Sequence, residues 1–412
     1  MRRWVRRVHC WLGLALGAYM ATMGLTGAVL AFEDEINATF HQELLQVTPR
    51  GATCGVDAAL AAVRRAGTGL PIRALRFGAA PTSSWEFRLG GPGIYTHRVF
   101  FDPFLARILG FRRRDGTPIG FLRKLHIRWL AGAAGYAWNG YGALVAVVLV
   151  ISGLVVWFPI RRSQWSVRLA VRRDRGRKRF LFDLHNTIGY ASAALLLLLL
   201  ITGATFPFRP VVKEALYGWS NARPEPQFRL RVSPGTLQLP YELLLGRATQ
   251  AAPEGKAIAL TLPQKADEPV VIRKELREGR RWGNHLLVTL NPYTGQVLHL
   301  QDTRRSAFGP RLVAMLLSLH AGYWGAPVLQ WVYIPLGLAP AALLVTGLMK
   351  WSAHRRSRRT LAGQPSVPER PGRQVGPRGR SPGAVPCPDR SPGQGAPSPP
   401  PGTGSESGKG RD

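Results

Sequence analysis

Residues 183–208 read DLHNTIGYASAALLLLLLITGATFPF. From Asn186 to Pro207 no Asp, Glu, Lys or Arg interrupts an apolar run long enough to cross a bilayer, which takes about 20 residues as a helix. His185 stands before it, Gly189 lies four residues on, Thr202-Gly203 seventeen and eighteen on, and Phe208 twenty-three on. The same offsets recur at the N-terminus, in His9, Gly13, Thr26-Gly27 and Phe32. A second pattern lies between. From His126, Ser152-Gly153 and Trp157 follow at twenty-six, twenty-seven and thirty-one residues, and from His320, Thr346-Gly347 and Trp351 follow at the same three offsets. The chain thus reads as two tandem copies of span, polar module, span, with a histidine near both membrane edges of each copy. The copies run parallel, so a pseudo-twofold axis is expected along the membrane normal.

Four spans are expected, near Trp11–Phe32, Tyr136–Pro159, Asn186–Pro207 and Tyr323–Met349. The first is read as a retained helix. Its core is too long for a signal peptide, and Phe32-Glu33-Asp34-Glu35 is no small-residue cleavage site. The net charge of +32 on 412 residues is placed asymmetrically. Arg2, Arg3, Arg6 and Arg7 precede span one, nine Lys or Arg lie between Arg161 and Arg179, and His354-Arg355-Arg356-Ser357-Arg358-Arg359 follows span four. This positive-inside pattern puts both termini and the middle loop in the cytoplasm. With that placement and no RNA- or DNA-binding motif, nucleic acid is set aside as a partner. Three scattered cysteines (Cys10, Cys54, Cys387), with no C-x-x-C or C-x-x-C-H, exclude a disulfide framework, an iron–sulfur run and covalent haem attachment.

The expected organisation is a cytoplasmic N-terminus (1–8), a first span (9–32), an outer module (33–120), an interfacial segment with a second span (121–159) and a basic loop (160–183). A third span (184–208), a second outer module (209–318), an interfacial segment with a fourth span (319–351) and a cytoplasmic tail (352–412) complete it. The tail, rich in Pro, Gly, Ser and Arg from about Leu361, is predicted to be disordered. The fold class is an α-helical integral membrane protein with two α+β outer modules. In the first, Asp57–Val63 reads as a helix with Asp57 as its N-cap, followed by strands over Ile72–Phe77, Trp85–Leu89, Tyr95–Phe101 and Arg107–Gly110. In the second, a helix over Tyr241–Ala251 precedes strands over Ala257–Leu262, Glu268–Lys274, Leu286–Leu290 and Gln296–Leu300. Asp102-Pro103 and Asn291-Pro292 take equivalent places and read as turns, not as ligands.

Eighteen residues make five helical turns, so His9, Gly13 and Gly27 share one face of span one, with Gly17 and Gly24 close to it. His185, Gly189 and Gly203 do the same in span three. A helix that offers an axial imidazole to a porphyrin needs small residues around it. On this reading His9 and His185 ligate one non-covalent haem b near the cytoplasmic edge, and His126 and His320 ligate a second near the outer edge. Bis-imidazole ligation leaves the iron no open position and suits electron transfer. Glycines at such spacings also serve plain helix packing, and a lone histidine at a membrane edge is usually an interfacial residue. Four at matched offsets favour the ligand reading. The other histidines, His41, His97, His285, His299 and His354, lack the pattern. One helix from His126 to Trp157 would be about 46 Å long, more than the hydrocarbon thickness. His126 and His320 are therefore expected at the outer interface or on a short helix that folds back.

Over about residues 1–355 the chain resembles the PepSY-associated transmembrane proteins, often described as iron-regulated membrane proteins. The resemblance rests on Arg7-Val8-His9-Cys10-Trp11-Leu12-Gly13, Leu25-Thr26-Gly27, Lys124-Leu125-His126, Ser152-Gly153-Leu154-Val155-Val156-Trp157, Asp183-Leu184-His185-Asn186, Ile201-Thr202-Gly203 and Ser318-Leu319-His320-Ala321-Gly322. Some members are di-haem inner-membrane reductases that release iron from ferric siderophores on the periplasmic side. The resemblance therefore implies a multi-pass protein of the bacterial inner membrane, ligands at His9, His126, His185 and His320, and electron flow from cytoplasm to periplasm. A ferric siderophore or other ferric chelate is the implied substrate, and Trp85, Arg88, Tyr95, Arg98, Arg281 and Trp282 are candidates to hold an anionic one. No G-x-G-x-x-G follows a strand, so the electron donor is expected to be quinol or a soluble flavoprotein rather than a dinucleotide. The outer modules look like divergent PepSY domains. Such domains also occur in proteins that inhibit peptidases, so a regulatory or assembly protein is one alternative. A siderophore or metal permease is another, opposed by spans that carry no ionisable residue.

Overall fold

The structure is a computed structural model and describes residues 1–91, 95–158, 169–276, 284–323 and 327–362. In the first half α1 (Arg2–Leu30), α2 (Glu33–Phe40), α3 (Gln42–Leu45) and α4 (Val56–Arg65) precede β1 (Ile72–Arg76), β2 (Trp85–Leu89), β3 (His97–Asp102) and β4 (Arg107–Arg113). α5 (Pro118–Arg128) and α6 (Gly132–Trp157) close that half. The second half runs α7 (Gly176–Thr205), α8 (Arg209–Trp219), α9 (Tyr241–Ala251), β5 (Lys256–Thr261), β6 (Val270–Glu275), β7 (His285–Leu290) and β8 (Val297–Asp302). It ends in α10 (Phe308–Ala321), α11 (Pro327–Gln330) and α12 (Tyr333–Ala362). Among the described residues four helices, α1, α6, α7 and α12, are long and apolar enough to cross a membrane.

Span four begins at Tyr333 and not at Tyr323, because Gly322 takes a left-handed conformation (φ 82°) that ends α10 first. Residues 352–362, expected to open a disordered tail, continue α12 instead. They contain no Gly or Pro and are rich in Arg, so nothing in them stops the helix. The rest of the predicted tail lies outside the described residues. The helices α2, α3 and α8 lie in stretches to which the sequence reading assigns no element.

The spans meet through small residues. A Cβ built on Gly24 would collide with the Gly337 carbonyl, and one on Gly337 with that of Gly24, so α1 and α12 touch backbone to backbone. A Cβ on Gly17 would run into Leu344. Packing, and not clearance for a porphyrin, accounts for these two glycines of span one.

The outer strands form one antiparallel sheet of eight in the order β4-β3-β2-β1-β5-β6-β7-β8, where two separate modules were expected. The halves join at β1 and β5, with Leu75 opposite Leu260, and the order reads the same outward from that seam. Every β1 and β5 backbone edge is thereby covered. One face of the sheet packs on α4 and α9 in a core built from Leu60, Leu75, Phe87, Phe101, Leu244, Leu260, Ile272 and Val288. Asp57 is not the N-cap of its own helix, which starts one residue earlier after Gly55. Its carboxylate instead accepts from the Tyr241 and Glu242 backbone N–H at 3.1 and 3.2 Å, while Glu242 Oε1 accepts from Asp57 N–H at 2.9 Å. Each helix thus caps the other, across the two halves. Asp102 and Asn291 form turns as expected, their Oδ1 atoms accepting from Phe104 and Tyr293 N–H at 2.9 Å.

Candidate functional site

Two turns of chain place the sheet-end histidines. α5 starts at Thr117, whose hydroxyl accepts from Gly120 N–H at 3.0 Å, with Pro118 in the first turn. It ends at Trp129, which adopts a left-handed conformation (φ 49°) that turns the chain back into α6. His126 sits in the last turn of α5, and His320 in the last turn of α10 before Gly322. Both therefore stand on short helices that fold back against the spans, which resolves the length problem. Asn139 of α6 ties this corner, donating to the His126 carbonyl at 2.8 Å and accepting from the Tyr19 hydroxyl at 2.9 Å.

The four histidines come together as two pairs. The His9 and His185 rings have centroids 6.5 Å apart at an interplanar angle of 80°. The His126 and His320 rings are 6.2 Å apart at 51°. Each pair takes one ring from each half. On α1, Gly27 lies beside His126 and eighteen residues beyond His9, so the pairs are about 27 Å apart along the bundle.

All four rings are held in one way. Nδ1 of His126 meets Thr26 Oγ1 at 2.9 Å, His320 meets Thr202 at 3.0 Å, His185 meets Thr346 at 2.9 Å, and His9 meets Ser152 at 3.1 Å. Each hydroxyl already donates its proton to a carbonyl of its own helix, Thr22, Leu198, Ala342 and Leu149 respectively, at 2.6 to 2.8 Å. What each oxygen turns to the ring is a lone pair, so Nδ1 carries the ring proton. His9 Nδ1 also meets the Leu149 carbonyl at 3.1 Å, an acceptor only. Nε2 is left as the unprotonated nitrogen on every ring, the form that binds a metal.

The glycine after each hydroxyl makes room for the same ring. A Cβ on Gly27 would lie 3.2 Å from His126 Cε1, on Gly153 2.9 Å from His9, on Gly203 3.0 Å from His320, and on Gly347 3.6 Å from His185. This corrects the expectation that Gly27 and Gly203 clear space for the histidine of their own helix. They serve a histidine from another helix of the same half. Gly13 and Gly189, nearest Leu149 at 3.9 Å and Leu343 at 3.6 Å, are ordinary packing contacts. The hydroxyls of Thr26, Ser152, Thr202 and Thr346 were missed as functional groups. Their signal was present, since each precedes one of the glycines in the matched offsets.

A metal–imidazole bond of about 2 Å, with roughly 1 Å more from nitrogen to ring centre, spaces two trans imidazoles roughly 6 Å apart. Both pairs fit that spacing. Among the described residues no three His, Cys, Asp or Glu side chains come together as a metal site. A bare ion would find only two ligands in either pair, whereas haem iron brings four of its own. Of the outer candidates, Arg88, Tyr95 and Arg98 gather on the sheet face away from the core. Trp85 lies on the other face, packed on Phe77 at 5.3 Å and against the core. Arg281 and Trp282 lie outside the described residues.

Four membrane-length helices, a sheet at one end and two half-buried imidazole pairs define a multi-pass membrane protein. The chain belongs to the family defined by the PepSY-associated TM region, whose model matches residues 6–353. No curated protein matches it significantly.

Proposed function

We propose that the chain is a di-haem electron-transfer protein of the bacterial inner membrane, reducing a ferric chelate on the periplasmic side. The observation that carries this reading is the set of two imidazole pairs, each spaced so that both rings could ligate one metal and each ring held by a hydroxyl in one tautomer. Bound haem would supply reversible one-electron chemistry at its iron. His9 with His185 would hold one haem and His126 with His320 the other. Ser152, Thr26, Thr346 and Thr202 orient the rings, and the four adjacent glycines keep the backbone low beside them. The separation of about 27 Å compares with a hydrocarbon core of about 30 Å, so the pairs sit near opposite lipid surfaces. The basic N-terminus and the helical basic segment after Lys350 support a cytoplasmic His9 end, with the sheet outside. Siderophores grip Fe(III) through hard oxygen donors far more tightly than Fe(II), so one electron loosens the chelate. The two halves, related by a pseudo-twofold axis, each give one imidazole to each haem, and their sheet domains are divergent PepSY modules. Quinol or a soluble flavoprotein is the donor.

A reduced-minus-oxidised spectrum of protein purified from haem-replete cells tests this. The expected result is a low-spin b-type pattern with two haems per chain, falling to one in His126→Ala and in His9→Ala. A colourless preparation with no iron-porphyrin would overturn it.

A further inference from the structure

The sheet face turned away from α4 and α9 is crowded with arginine. Strand alternation buries Phe87 and Val99 in the core and so sends Glu86, Arg88, Arg98 and Arg112 to the opposite face. Register lines them up, with Arg88 opposite Arg98 and Arg98 opposite Arg112. Tyr95 lies among them. The guanidinium carbons of Arg88 and Arg114 are each 4.6 Å from its ring centre, and Arg98 donates to its hydroxyl at 3.3 Å. Arg123 of α5 borders the cluster, one helical turn before His126, and Arg112 donates to Asn37 of α2 at 2.8 Å.

Charge does not balance there. Glu86 accepts from Arg88 Nε at 2.9 Å and stands 3.6 Å from Arg98 Nε, and Glu33 pairs with Arg123. Arg76 lies opposite Glu86 on the same face, so two carboxylates face six arginines, Arg76, Arg88, Arg98, Arg112, Arg114 and Arg123. Several of their nitrogens are buried with no hydrogen bond, namely Nε of Arg112 and Arg114 and Nη1 of Arg112 and Arg123, while Arg98 Nε has only the 3.6 Å approach of Glu86. Buried guanidinium groups are normally paired. Burial works to raise the Glu86 carboxyl and the Tyr95 phenol, yet the arginine field outweighs it and holds both below their usual values.

We propose that this face is a binding site for a polycarboxylate anion. Guanidinium forks match carboxylate in a bidentate manner. The row Arg88-Arg98-Arg112 crosses three strands, about 10 Å at the usual spacing, wider than the oxygens of one phosphate can cover. A ligand with carboxylates several ångströms apart fits the row and comes to rest beside the helix that carries His126. As an anion site it is independent of haem. As the seat of a reducible ferric chelate it rests on the proposed function and adds a preference for anionic over cationic chelates.

Isothermal titration of the full chain in detergent, freed of co-purified lipid, with citrate as the probe tests it. Citrate should bind, and Arg98→Gln and Arg112→Gln should each weaken it at least tenfold. Thermal unfolding shows which variants are folded, and Arg98→Lys, which keeps the charge, should retain part of the binding. A parent protein from haem-replete cells that carries no haem yet still binds citrate sinks the redox reading alone. A haem-loaded protein that ignores citrate sinks the anion site alone. Inorganic phosphate competing mole for mole, or a phosphatidylglycerol nanodisc abolishing citrate binding, would replace the polycarboxylate with a single oxyanion or a lipid headgroup and overturn the proposal.

Discussion

Replacing Thr202 by Val isolates the hydroxyl–imidazole contact on which the reading of both pairs depends. Val keeps the shape of Thr and removes the oxygen that His320 Nδ1 meets at 3.0 Å. The ring N–H then keeps only the backbone carbonyl of Leu199 in a membrane-embedded corner, where a poorly satisfied donor costs up to about 1–3 kcal/mol. At 1.4 kcal/mol per decade that is roughly 5- to 140-fold in haem affinity, in line with the roughly 10- to 100-fold typical of lost partners behind a metal-bound histidine. The ring is also held less firmly, so the midpoint potential of that haem should move while the other stays. Transfer of haem to excess apomyoglobin, followed in the Soret band, reads affinity, and a redox titration reads the two potentials. Thr205→Val is the matched control, because the Thr205 hydroxyl donates only to the Thr202 carbonyl. A Thr202→Val protein that releases haem no faster than the parent, with both potentials unchanged, refutes the argument that these hydroxyls hold the rings.

Gly203→Ala should cost the sheet-end haem in a pyridine haemochrome assay, because the new methyl would lie 3.0 Å from His320 Cε1. Glu86→Gln should lower stability at neutral pH by about 3 kcal/mol, since it strips a buried carboxylate from its arginine partners. The folded Glu86 carboxyl lies below its usual value, so its contribution is present above about pH 4.3 and fades as pH falls through the lower folded value. Melting curves of parent and variant should therefore converge on acidification. Asp57→Ala should cost about 1 kcal/mol by uncapping α9 across the seam, and a double-mutant cycle with Glu242→Ala should show coupling because each carboxylate caps the other's helix.

The spans and the four histidines were legible because both announce themselves locally, the spans through uninterrupted apolar runs and the histidines through equal offsets. The Asx-Pro turns were legible for the same reason, since Asp102 and Asn291 bond their own neighbours. The partner of each ring was not. Eighteen residues put His9 and Gly27 on one helical face, and that periodicity suggested a shared role, yet Gly27 serves His126. The assignment depends on how α5 folds back, which is decided at Trp129, a non-glycine residue in a left-handed conformation that composition does not flag. The seam was hidden too, because alternation tells a strand which face it buries and nothing about which edge it meets. The arginine face was half visible. Arg88 and Arg98 were picked out singly, but their alignment with Arg112 needed the register, and Trp85, one residue from Glu86, belongs to the opposite side.

Every centre in this molecule is split down the middle of the gene. His9 and His126 come from one half, His185 and His320 from the other, and the sheet closes only where β1 finds β5. A lone half would own two single imidazoles and a bare strand edge, and the nearest cure for both defects is a second copy of itself. Neither half is therefore a complete unit, and both imidazole pairs and the sheet depend on the two halves being held side by side.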